Sequence, residues 1–227
     1  MTDEIVVLAV TKMLSGMCIG GISLSTGEWV RPIKEFGTIL PGDLAYVDGA
    51  PIRPFDVVEF SLAKHRPKAP HIEDWVCDFI RERPVLARRL EEREREAFLQ
   101  KHAEPGGYEE ITNQKRSLCL LDSQEAQALF SLDAYSGKYQ ARLYFPALGR
   151  QRAVPVTDIK WRALGRRLIG DGGRVKLSAE QLREITGARS IYPAIGLSRQ
   201  YEGKFWPLIV GVHCLPDYEA EVDYRNL

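Results

Sequence analysis

The first seventy residues alternate short apolar runs with turn signals, a pattern of strands rather than helices. Glu4–Thr11 holds the run Ile5, Val6, Val7, Leu8 and Val10, mostly β-branched side chains that suit a pleated surface and lose rotamer freedom in a helix. Gly16–Ile22 predicts a second strand, Ser25-Thr26-Gly27 a tight connection, and Glu28–Ile33 a third strand. Residues 16–33 are therefore a hairpin candidate in which Trp29 and Arg31 share one face. Pro41-Gly42-Asp43 marks a turn, Leu44–Val47 a short strand and Phe55–Leu62 a longer one. This density of strands suits a small barrel.

Residues 64–73 carry Lys64, Arg66, Lys68 and two prolines without periodicity and predict a loop leaving that barrel. The pattern then turns helical. Asp74–Arg83 predicts a helix with Asp74 as its N-cap, Pro84 suits a first helical turn, and Val85–His102 has Leu86, Leu90 and Phe98 broadly on one side. The mixed charges of 88–96 read as a solvated helix face. Residues 103–107, with Pro105, Gly106 and Gly107, end this insert. Beyond it the sequence predicts a strand at Ser117–Asp122, a short helix at Ser123–Phe130 and a strand at Tyr139–Phe145. Two further strands are predicted around Ala153–Trp161 and Arg162–Ile169, with a glycine turn at 170–173. Ser178 and Gln181 form a capping box for a helix Ala179–Thr186 that Gly187 ends. Strands Ser190–Tyr201 and Phe205–Cys214 follow, joined by Glu202-Gly203-Lys204.

Composition adds that the 227 residues, 44% hydrophobic and 27% charged, are those of a globular protein. The 31 basic and 31 acidic side chains cancel, which excludes a general polycation. The cancellation hides an asymmetry: residues 1–112 carry 14 basic and 19 acidic groups, residues 113–227 carry 17 and 12, and the stretch 115–204 holds 16 against 8. The second half is the candidate basic face. Cys18, Cys77, Cys119 and Cys214 are widely spaced among apolar neighbours, so neither a metal site nor a disulfide scaffold is expected and the thiols read as buried. The N-terminus lacks the signs of a signal peptide and no apolar run spans a bilayer. A cytoplasmic location without membrane association follows as an expectation.

Motifs for enzymatic chemistry are sparse. There is no phosphate loop, nucleophile elbow or HExxH, and the glycines of 16–21 do not match the dinucleotide spacing. His65, His71, Glu73 and Asp74 are the only local acid/base candidates, and helix capping by Asp74 is the plainer use of that residue. His213, in an apolar run, reads as a core histidine. More suggestive are aromatics interleaved with basic residues on strands: Trp29 with Arg31, Arg142 with Tyr144, and Arg199 with Tyr201, Lys204 and Trp206. Single-stranded nucleic acid calls for this pairing, because bases stack on aromatic faces while Arg and Lys meet phosphates.

Lys12–Ile22 followed by Thr26-Gly27-Glu28-Trp29-Val30-Arg31-Pro32-Ile33 resembles the opening signature of the dual OB-containing domain family. Phe55-Asp56-Val57-Val58, His71-Ile72-Glu73-Asp74-Trp75, Gly196-Leu197-Ser198-Arg199, Trp206 and Gly211-Val212 are similar to later family motifs in the same order. The resemblance implies a mainly β (α+β) protein: a first OB-like barrel at 1–70, a helical insert and linker at 71–112, and a second OB-like barrel with a short helix at 113–227. It also implies a nucleic-acid role. Together with the charge pattern, the expectation is a protein that binds single-stranded DNA or RNA without catalysis, cofactor or metal. The contact residues are expected to be Trp29, Arg31, Lys64, Arg66, Lys68, Arg142, Tyr144, Arg199, Tyr201, Lys204 and Trp206. Two other classes stay open: a protein–protein adaptor docking through the 85–102 helix, and a nucleotide- or nucleic-acid-processing enzyme using the His71/Glu73/Asp74 region.

Overall fold

The computed structural model describes the chain except for Leu14, Gln124, residues 147–152 and residues 225–227. Strands β1 (Thr2–Met13), β2 (Gly16–Ser23), β3 (Trp29–Ile33), β4 (Asp56–His65) and β5 (Asp74–Cys77) pair in the order β1-β2-β3-β5-β4. β4 then returns to β1 and closes a five-stranded barrel. Every neighbour is antiparallel except β3 and β5, which run parallel. Closure removes the free edges that an open sheet would expose. Ile5, Val7, Ile19, Val30, Phe60 and Leu62 fill the interior, alternating with outward positions as the pleat requires.

The first of the two expected helices of the insert opens as strand, and the second is strand over its first residues and helix over the rest. β5 lies inside the expected helix at Asp74–Arg83, and β6 (Val85–Arg89) begins the second and pairs with the outer edge of β4. Asp74 therefore opens a strand and caps no helix. The physical reason is that β3 offers an unpaired backbone edge that a strand must satisfy. Trp75 and Val76 suit it. The barrel consequently runs to Cys77, past the boundary expected at 70. Helix begins only at α1 (Glu92–His102), where Glu91 N donates to Glu94 Oε2 at 2.8 Å, and α2 (Gly107–Thr112) follows. The short strand expected at Leu44–Val47 is reduced to a single bridge between Ala45 and Pro51, after a 3-10 turn over Pro41–Leu44 fixed by Leu40 N donating to Asp43 Oδ2 at 2.6 Å.

The second half contains β7 (Leu118–Leu120), β8 (Gln127–Leu132), β9 (Tyr139–Tyr144), β10 (Val154–Pro155), α3 (Ile159–Ile169), β11 (Arg174–Leu177), α4 (Ala179–Thr186), β12 (Ser190–Leu197) and β13 (Pro207–Leu215). Sheets β10-β9-β8-β11 and β13-β12-β7 wrap one core, and Val156 joins them by pairing in parallel with Ile209. The helix expected at Ser123–Phe130 gives way to β8, whose Ala128 and Phe130 point inward with period two. The strand expected at Arg162–Ile169 is α3: Trp161, Leu164, Gly165 and Ile169 are buried at helical spacing, and Asp158 Oδ1 caps it by accepting from Trp161 N at 2.9 Å. α4 starts and stops where the capping box and Gly187 put it, with Gln181 N donating to Ser178 Oγ at 3.2 Å.

A third core joins the halves. Val6, Leu8 and Ile22 of the first barrel meet Leu118, Tyr192 and Leu215 of the second half, with Leu99 of α1 sealed among them. Asp158 Oδ2 also accepts from Val212 N at 2.8 Å, and Thr11 pairs with Asp158 across the seam. β1 and β13 approach so closely that a methyl group on Gly211 would run into the carbonyl of Leu8. Gly211→Ala is expected to lower unfolding free energy by about 1–3 kcal/mol. Gly42→Ala, at a position with nothing within 4 Å of an added methyl group, should change it by less than about 0.5 kcal/mol. Denaturant unfolding of both checks the seam.

Candidate nucleic-acid interface

Two connections meet at one rim of the seam. The first, the end of β4 and its connection to β5, carries Lys64, Arg66 and Lys68, all exposed. Its shape is fixed by a tight turn in which His71 N donates to Lys68 O at 2.7 Å. The ring of His65 stacks on Trp75 with centroids 4.6 Å apart, and Arg66 N donates to Asp74 O at 2.8 Å. The second, between β12 and β13, is a hairpin turn. Glu202 (φ 51°) and Gly203 (φ 75°) occupy its two central positions, and Tyr201 N donates to Lys204 O at 2.9 Å. Positive φ at both positions matches the right-handed twist of the flanking strands. The turn leaves Tyr201 65% and Trp206 43% exposed, with Lys204 Nζ 5.9 Å from the Trp206 ring centroid.

Contacts beneath tie the two together. Asp74 Oδ1 accepts from Arg31 Nε at 2.6 Å and Asp74 Oδ2 accepts from Arg199 Nη1 at 2.9 Å. The His71 ring sits edge-on to Phe205, centroids 5.5 Å apart. Next to Asp74, Glu73 accepts from Ser117 N (2.7 Å), Ser117 Oγ (2.9 Å) and Leu118 N (2.9 Å). Arg31 Nη2 and both ring nitrogens of His71 have no hydrogen-bond partner among the described residues. A narrow cleft of about 50 Å³ reaches Arg31 from this rim, lined by Cys18 and Gly20 on one wall and by Leu118, Gly196 and Arg199 on the other. Burial pushes the Cys18 thiol up, despite the nearby guanidiniums.

This geometry uses the acid/base candidates structurally. Glu73 is saturated by backbone and hydroxyl donors, Asp74 is shared by two arginines, and burial together with the charges of Arg31 and Arg199 holds His71 down to about 3. The trio is not arranged to pass a proton. Among the described residues no group of three or more His, Cys, Asp or Glu side chains is set to hold a metal ion. Cys77, Cys119 and Cys214 are buried as expected, whereas Cys18 is half-buried.

The remaining expected contact residues are dispersed. Trp29 and Arg31 are 6% and 5% exposed. Their face of β3 is covered by the second half, so neither is an open stacking or phosphate-binding group. Trp29 instead borders, with Trp75, His65 and Arg116, a cleft of about 300 Å³ beside the β4–β5 connection. Trp75 and His65 were missed as a face because their segment reads as helix and loop. Arg142 and Tyr144 sit half-buried on β9, in the other sheet, where Arg142 Nη1 donates to Ala153 O at 3.4 Å. Part of the basic surplus goes to α3, whose Arg162 and Arg166 both lie 4.8 Å from the Tyr139 ring centroid.

A family model described as a dual OB-containing domain matches residues 3–212. The chain belongs to that family. No curated protein and no solved structure matches it. Among the described residues no helix is long and apolar enough to cross a membrane. OB folds are binding folds that use the face of their second and third strands and the loops between strands one and two and strands four and five. In this dual-OB chain the strand face of the first barrel is occupied by the second half, which leaves the β4–β5 connection exposed.

His71 and His213 are both neutral in the fold, held near 3 and near 4 by burial, against an ordinary value of 6.5. The unfolded chain takes these protons first, so the associated stability is complete above about pH 6.5 and is lost as pH falls toward the folded values. Asp158, raised to about 6 by burial, acts in the opposite sense at acid pH. His71→Gln leaves Asp158 and His213 in place. Its unfolding free energy should therefore fall less steeply than the parent's between pH 6 and 4, by up to about 1.4 kcal/mol per pH unit. Parallel curves for the two proteins would show that His71 is not held neutral.

Proposed function

We propose that this protein binds single-stranded nucleic acid, DNA or RNA, along the rim formed by the β4–β5 connection and the 198–206 turn. The observation that carries the reading is the contact between these two segments through Asp74–Arg199 and His71–Phe205. It draws the cations Lys64, Arg66, Lys68, Arg199 and Lys204 toward the exposed rings of Tyr201 and Trp206. The lysines and arginines neutralise successive phosphates and release counterions, while the two rings take bases in a manner indifferent to sequence. The OB membership supports a binding role, and the β4–β5 connection corresponds to a loop with which OB folds grip oligonucleotides.

Fluorescence anisotropy of labelled single-stranded DNA, single-stranded RNA and duplex, at about 50 and about 200 mM salt, tests the reading. Affinity for a single strand should fall steeply with salt. Tyr201→Ala with Trp206→Ala should weaken it by about 1–3 kcal/mol for each base left unstacked. Replacing Lys64, Arg66 and Lys68 with Gln should instead flatten the salt dependence by about 0.7 in log–log slope for each phosphate that is no longer neutralised. A parent that binds no oligonucleotide at low salt overturns the function. A binding parent matched by both variants overturns the site.

A further inference from the structure

A cavity of about 620 Å³ lies along the seam and is lined by Arg53, Arg89, Arg95 and Lys160 together with residues of the segment that follows β13, Asp217, Glu219 and Glu221 among them. The four cations come from four different places: the turn before β4, β6, α1 and α3. Their convergence is unfavourable unless anions fill the space between them. Arg89 is met from β4, its Nε donating to Asp56 Oδ1 at 2.6 Å, and the remaining anions come from the segment after β13. Asp217, Glu219, Glu221 and Asp223 are acidic at every second position. The first of these bridges two groove cations, with Arg95 Nη1 donating to Asp217 Oδ2 at 3.2 Å and Lys160 Nζ to Asp217 Oδ1 at 2.7 Å. Glu219 and Glu221 line the same cavity and are exposed.

The residues between the acids anchor the segment. Tyr218 is 3% exposed, with Lys160 Nζ 4.4 Å above its ring and Trp161 edge-on at 5.5 Å. Ala220 packs on the core of the second half, and Val222 and Tyr224 on that of the first barrel. Residues 217–223 form neither helix nor strand, so side chains rather than a backbone ladder hold them down. In an extended chain, acids two residues apart are about 6.4–6.8 Å from one another, a charge repeat like that of successive phosphates in an extended single strand.

We infer that the seam holds a second phosphate-backbone groove, formed by Arg53, Arg89, Arg95 and Lys160, and that the acidic segment 217–223 occupies it as an internal mimic of nucleic acid. The inference rests on the nucleic-acid reading above and extends it to a surface that shares no residue with the rim. A single strand that enters the groove, at the end of β4 and β13 away from the rim, displaces the carboxylates while Tyr218 stays anchored.

The test uses the full chain and the anisotropy assay. Glu219→Gln with Glu221→Gln removes two exposed charges and leaves the anchors intact. Its affinity for a single-stranded oligonucleotide at about 50 mM salt should rise roughly three- to tenfold, with a steeper salt dependence. Adding Arg53→Gln and Lys160→Gln to the same protein should abolish the gain. Asp217→Asn provides a second variant of the segment, and thermal unfolding reports whether each protein is folded. Equal binding by the parent and by the folded segment variants overturns the groove while leaving the rim standing. A gain that persists without Arg53 and Lys160 also overturns it, and so does a gain lost equally when Arg81→Gln and Arg83→Gln, exposed and outside the groove, are added instead, because the effect is then one of net charge. No binding by any of the proteins removes the nucleic-acid reading and the groove with it.

Discussion

Two adjacent carboxylates hold the seam on which the candidate rim depends. Glu73 closes the start of β7 by taking the N–H groups of Ser117 and Leu118, and Asp74 joins Arg31 of the first barrel to Arg199 of the second half. Both are nearly out of water, at 5% and 3% exposure. Desolvating them is costly, and the cost is offset only because every strong acceptor position meets a donor. Removing one partner would strand the other charge, so the arrangement is effectively all or none. It fixes where the β4–β5 connection leaves the barrel and where the 198–206 turn comes to lie.

The same seam explains why the first barrel does not use the surface its topology offers. Gly20, Cys18 and Arg31 on the strand face look into a cleft walled by Leu118, Gly196 and Arg199. Small residues line both walls of it: a methyl group at Gly20 would touch Leu118, and one at Gly196 would crowd Val210 and Leu118. Fusing the halves face to edge buries apolar area that supports the third core. It also covers the strand face and leaves loops and rim open, where residues of both halves meet.

Legibility in the sequence follows the range of the interactions involved. The capping box of α4, the turn at 202–203 and the β-branched β1 are decided within a few residues, and they stand where the sequence puts them. β5 and β6 are decided by partners far away in the chain. The Arg and Glu residues that flank them, at 81–83 and 91–96, favour helix locally, and only the unpaired edges of β3 and β4 make them strands. α3 was readable: Asp158 as a cap and Trp161, Leu164 and Ile169 at helical spacing were present, but the neighbouring strand pattern masked them. For the rim, exposure of Tyr201, Lys204 and Trp206 follows from a turn visible in sequence. Burial of Trp29 and Arg31 follows from the seam, which no local pattern encodes.

Net neutrality conceals two opposed charge distributions that folding sets against one another. The acids at 217–223 lie next to the basic stretch 115–204 in sequence, yet in the fold they face cations from both halves, including Arg95 of α1. The pairs at Asp217 are 20–33% exposed, so water and salt reach them and each contributes little alone. Salt would then weaken the hold of the segment and that of any phosphate competing for the same groove together, and the two effects partly cancel. At the rim Arg199 and Arg66 have the carboxylates of Asp74 and Glu35 beside them, but Lys64 and Lys204 stand exposed and their attraction to a phosphate is screened in full. Salt dependence therefore separates the surfaces, steep where cations wait in water and shallow where a carboxylate must leave first.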